Sequence, residues 1–255
     1  MSTPRLRYSL LLLLSVYSGL ILAQSRPKAN TNGTVRLVFI NKVGSRPLVL
    51  KDSVYTNPFG ETYTVSKFLY YISNIKMSGA AKPVAEKNSY HLLDQRDTGS
   101  LQFSFPAPAG EYTSMHFLVG VDSIKNVTGI QAGPLDPARD MFWTWLSGYI
   151  MAKLEGRSPA STAPDNRFEY HIGGYSGVNN SIRNIDLPFP ADNKILVKKG
   201  KVVTLFIEAD INQWWNSSTP LHISTTPVCA VPGEDAKRIA DNYAHMFSIK
   251  KINAD

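Results

Sequence analysis

SKFLYYISNIKM, residues 66–77, decides the fold. Successive side chains of a strand point to opposite faces. Here Phe68, Tyr70 and Ile72 fall on one side, and Leu69, Tyr71, Ser73 and Ile75 on the other. Both sides are largely apolar, so the stretch reads as a central strand covered on both faces. Upstream, TVRLVFIN (34–41) is β-branched and apolar and reads as the first strand. Downstream, Leu101–Phe105 alternates and Pro106, Pro108 and Gly110 mark a turn; a strand follows over Tyr112–Val121. Residues 122–140 and 155–166 read as long loops rich in turn formers. Between them Met141–Leu154 returns to apolar, aromatic content, and Phe168–Gly174 reads as a short strand that stops at paired glycines. Ile195–Val197 and Val202–Ile211 are expected to pair across a Lys/Gly tip, and Leu221–Thr225 to form another short strand. After Pro232 and Gly233, acids open a helix over 234–246 whose Ala236, Ile239, Ala240, Tyr243 and Met246 share a stripe; Ser248–Ile252 reads as a closing strand. Many short strands with closely spaced turns predict an all-β fold, an antiparallel β-sandwich with a short C-terminal helix.

The ends and the composition set the compartment. Arg5 and Arg7, the leucine run 10–14 and apolar residues up to Ala23 predict a signal peptide over 1–23. Polar residues 24–33 read as a disordered lead-in, leaving 34–255 as one domain. No cysteine lies near the cleavage point, so a lipid anchor is not expected, nor is a membrane span after cleavage. Cleavage takes the formal charge from +7 to +5. The basic residues are dispersed; the densest group, Lys194, Lys198, Lys199 and Lys201, lacks interleaved aromatics, which argues against a nucleic-acid partner. Cys229 stands alone, so the fold holds without an internal disulfide, and its simplest role is that of a small buried hydrophobe.

No zinc-protease, C-x-x-C, P-loop or G-x-S-x-G motif occurs. Ser-x-x-Lys appears at Ser73–Lys76 and Ser248–Lys251, in both cases on an expected strand rather than at a helix start. With no nucleophile beside a base, the chain reads as a non-enzyme. Trp143 and Trp145, two apart, would share one face of a strand with Met141; indoles so placed serve as core or line an oxidisable, metal-adjacent pocket. The histidines form no local pair, so any metal site must gather distant strands. His171 precedes two glycines that let another segment approach closely. A hydrogen bond is the simpler role for a strand histidine, and His245 near a helix C-terminus is favoured there as a cation.

KFLYYISNI (67–75), FLVGVDS (117–123), DPARDMFWTWLSGYI (136–150), KLEGRSP (153–159), FEYHIGG (168–174) and IADNYAHMF (239–247), in that order, resemble the MbnP-like family of exported copper-associated proteins. The resemblance implies a periplasmic β-sandwich that handles copper. It implies a copper ligand at His171, with Met141 and His245 as further candidates, and Trp143 and Trp145 lining the site. It also implies a partner di-haem enzyme of the cytochrome c peroxidase type that oxidises a tryptophan of this block. Two positions depart: copper-binding relatives look to carry histidines where this chain has Ser73 and Asn126. The rival expectation is a periplasmic or surface interaction domain that keeps the sandwich and has lost the ligands, with loops 122–140 and 155–166 binding a protein or glycan.

Overall fold

The computed structural model describes residues 31–80, 82–144, 147–190 and 194–254. The expected signal peptide, most of the lead-in and Trp145 lie outside them. The chain runs β1 (Asn32–Val43), β2 (Arg46–Pro47), β3 (Tyr55–Thr56), β4 (Thr62–Ser78), β5 (Val84–Ala85), β6 (Tyr90–Asp94), β7 (Gln102–Pro108), β8 (Gly110–Tyr112) and β9 (Ser114–Val119). After a short helix α1 (Ser123–Val127) come β10 (Ile150–Arg157), β11 (Arg167–Gly173), β12 (Arg183–Pro188), β13 (Ile195–Val197) and β14 (Val202–Asp210). Helix α2 (Gln213–Asn216), β15 (Val228–Cys229), α3 (Glu234–Tyr243) and β16 (Phe247–Ala254) complete it.

Two sheets carry the sandwich. One has the order β16-β14-β1-β2, with β7 also on β1; the other has β12-β9-β4-β10-β11-β15, with β3, β5 and β6 also on β4. Pairing is antiparallel except for β1 with β14 and β11 with β15. The 17-residue β4 is central, as its two apolar faces require. Its Phe68, Tyr70 and Ile72 join Leu154, Phe168, Tyr170 and Ile172 in the main core, which includes Phe39, Leu205 and Ile207 of the facing sheet. Its Leu69 and Tyr71 belong to a second apolar cluster with Val121, Leu135, Met141, Tyr149, Ile150 and Met151. The segment between β9 and β10 therefore forms an outer cover on this sheet.

Several sequence expectations change. β1 starts at Asn32, inside the expected lead-in. β7 runs through Pro106 to Pro108 because it bonds only β1, and an edge strand tolerates a missing donor. β13 and β14 turn at Lys198–Lys201 but do not pair: β13 takes β8, and β14 takes β1 and β16. Residues 221–225 are a turn, closed by Thr226 N donating to His222 O at 3.0 Å. Residues 141–144 and 147–149 belong to no strand but fold back on one another: Phe142 bridges Tyr149, and Ile150 N donates to Met141 O at 2.9 Å. The α3 stripe is buried as expected. No helix among the described residues is long and apolar enough to cross a membrane.

Candidate functional site

The outer cover is where the tryptophan block, the 120–122 turn and the His171 strand converge. Tyr71 of β4 pins the cover to the sheet by donating to Pro134 O at 3.0 Å, and Tyr149 ties the cover to itself by donating to Leu135 O at 2.6 Å. Trp143 N donates to Gly148 O at 3.1 Å, and its indole lies on the sheet at Gly173. A β-carbon at Gly173 would stand 2.4 Å from that ring, so the first glycine of HIGG makes room for Trp143. The indole is half-buried.

Ser73 and Asn126 occupy the centre of this region and are fully engaged. Ser73 Oγ donates to Gly120 O at 2.7 Å. Asn126 Nδ2 donates to the next carbonyl, Val121 O, at 2.8 Å and to Asp122 O at 2.9 Å, while its Oδ1 accepts from Tyr149 N at 2.8 Å. Both residues are buried. Met151, the extra residue at the β10 bulge, accepts from Val121 N through its sulfur at 3.2 Å. Three side chains thus lock one turn, and the Asn126 amide is committed to it through both ends.

His171 stands elsewhere on the same face. It is the cross-strand partner of Lys153, which pairs in turn with Leu69. Ser73 is four residues further along β4, so its Cα and that of His171 are on the order of 15 Å apart. His171 Nε2 bonds Glu155 Oε1 at 2.9 Å. Glu155 also meets Lys67 Nζ at 3.2 Å; Lys67 reaches Asp140 Oδ2 at 3.3 Å, and Asp140 receives the buried Lys153 at 3.1 Å. Lys153 also donates to the Asp140 carbonyl. Burial pushes the Glu155 carboxyl up, but the His171 bond and the Lys67 ammonium outweigh it and hold it below its ordinary value. Asp140 behaves alike: burial raises its carboxyl, and Lys153 followed by Lys67 lowers it further than that.

The candidate ligands sit in separate surroundings. Met141 is enclosed in the outer apolar cluster, and His245 is exposed in the 3-10 turn Ala244–Met246 after α3. Cys229 belongs to the main core, and burial pushes its thiol up to about 11. Among the described residues, no three His, Cys, Asp or Glu side chains gather closely enough to hold a metal. His171 has one carboxylate beside it and two ammonium groups in its network, which oppose a further cation. Positions 73 and 126 carry no imidazole, and His171 commits its Nε2 to the Glu155 carboxylate. The sequence reading missed Lys67, Asp140, Lys153 and Glu155: Lys67 and Lys153 are polar positions within segments that read as apolar, while Asp140 and Glu155 fall in segments that read as loops.

The sequence model of the MbnP family matches residues 32–231. Among solved structures, MbnP from Methylosinus trichosporium superposes with a TM-score of 0.55 at 14% sequence identity, over 88% of this chain and 99% of that one, a likeness of fold. No curated protein sequence matches the chain.

Proposed function

This chain belongs to the MbnP family, a copper-associated family, and on that premise we propose that it is an exported, periplasmic binding protein without catalytic activity, whose outer cover meets a protein partner rather than a copper ion. One observation carries the reading: Ser73 and Asn126 hold the consecutive carbonyls of Gly120 and Val121, so both positions build the turn and neither offers a ligand. The same cover exposes Ile124, Val127 and Ile130 at 73%, 64% and 80%. Exposed apolar side chains gathered on one short segment mark interaction sites. Copper titration of the purified mature protein tests the first half; the expected result is no stoichiometric uptake. A photo-crosslinking residue at Ile124 tests the second. It should capture a discrete partner in the native periplasm, where one at Leu196, half-exposed on β13, captures none.

A second reading rests on Trp143 lying at Gly173, two residues from His171. There copper binds through His171 beside the indole, and a di-haem partner of the peroxidase type oxidises Trp143. Stoichiometric copper uptake abolished by His171→Ala would favour this reading. So would an intact mass raised by kynurenine formation when the partner is co-produced.

A further inference from the structure

A cavity of about 340 Å³ lies at the other end of β10, which brings it into the range of small-molecule sites. Arg157 is seven residues along the strand from Ile150, on the order of 20 Å, so the cavity is at the opposite end of β10 from the Trp143–Gly173 contact. Thr62 and Thr64, two apart on β4, present their hydroxyls on one face. Arg157 is the cross-strand partner of Thr64. Its Nη1 donates to Asp165 O at 2.6 Å, and no carboxylate pairs with the guanidinium among the described residues. Asp165 and Asn166 complete the rim with exposed side chains. Among the described residues, no protein group bonds the Asp165 carboxylate, the Asn166 amide or the two threonine hydroxyls.

The rim is a tight turn. Asp165 and Asn166 are consecutive residues at φ 58° and 54°, the two central positions of a type I′ turn, which Asp and Asn adopt readily. Arg167 N donates to Pro164 O, Asn166 N to Ala163 O at 3.1 Å and Ser158 N to Asn166 O at 2.8 Å. The turn places two polar side chains at the mouth of the cavity.

We propose that this cavity binds a neutral saccharide through a pair of adjacent hydroxyls. The lining alternates a fixed donor (Arg157), a fixed acceptor (Asp165) and groups that do both (Asn166, Thr62, Thr64), and a vicinal diol offers a donor and an acceptor at each of two neighbouring points. An anion meets the Asp165 carboxylate, and a cation meets Arg157. An apolar ligand would bury all five groups without partners. Exposed Val54 supplies apolar surface for the C–H face of a ring. A small zwitterion would match the two charges but leave the hydroxyls and the amide unused.

NMR on the 15N-labelled mature protein tests this, with millimolar methyl glycosides of glucose, galactose, mannose and N-acetylglucosamine as probes and free glycine and alanine as the opposing arm. At least one glycoside should shift amides of 62–64 and 157–166 in a saturable way and leave those near Trp143 unmoved. Arg157→Met should weaken that glycoside by about tenfold or more with an unchanged melting temperature; Asp165→Ala should weaken it as much, with a lower melting temperature because alanine is disfavoured at positive φ. Thr64→Val, which removes one hydroxyl without touching the 164–167 turn, should weaken it too and decides the matter if Asp165→Ala does not fold. No response to any of the four glycosides overturns the proposal. So does a response that survives these substitutions, or a response to the amino acids alone.

Discussion

On the inner face of the nine-stranded sheet, Phe68, Tyr70, Phe168 and Tyr170 pack with Trp214 and Trp215 in a continuous aromatic layer. On the outer face of the same strands, Leu69 and Tyr71 share the surface with groups that bond a loop: Ser73, Met151 and Lys153. One face is held by buried apolar area, which is non-directional. The other adds to its own apolar cluster directional bonds to particular carbonyls and carboxylates. The first tolerates sequence change as long as volume is kept; the second specifies one arrangement of the 120–150 segment and fails when a single partner is removed.

Substitutions can break this contrast. Trp215→Ala should be the most damaging. The side chain is wholly buried and its Nε1 donates to Tyr63 Oη at 3.1 Å, so chemical denaturation should show a loss of about 3–5 kcal/mol. Asn126→Ala removes three hydrogen bonds and leaves buried Tyr149 N without its acceptor. A loss of about 2–3 kcal/mol is expected, with hydrogen exchange rising first at 148–150. Asp140→Ala strands the buried Lys153 ammonium. Because Asp140 is half-exposed, the loss should be nearer about 2 kcal/mol than the full cost of an unpaired buried charge. Lys153→Met is the sharpening case: an apolar side chain of similar length beside Met151 and Leu69 should leave stability within about 1 kcal/mol.

Acid should separate the faces as well. Glu155 and Asp140 are held below their ordinary values in the folded chain. Their contribution is therefore complete above the unfolded carboxylate pKa of about 4 and is lost as pH falls through the depressed folded values. Exchange at Trp143 and Gly148 should accelerate in that window before exchange in β14 does. Asp140→Asn should flatten the dependence.

Much of this contrast could be read from residues 66–77. Their two apolar faces announced a central strand and a cover on each side, and the α3 stripe and the lone core cysteine were equally plain. The cover itself was not legible. Trp143 and Met141 looked like strand neighbours because spacing cannot distinguish an extended strand from a loop closed by Ile150 N on Met141 O. The ion network was hidden because its members come from β4, β10, β11 and the loop at 140, and only pairing register brings them together. The departures at Ser73 and Asn126 were visible as residue types. Their meaning, two side chains on consecutive carbonyls, depends on how the 120–122 turn folds back over β4.

Metal analysis of the purified mature protein after incubation with copper and removal of the excess tests the central claim most directly. The account predicts substoichiometric copper, unchanged in His171→Ala. One equivalent retained by the wild type and lost in His171→Ala would contradict it.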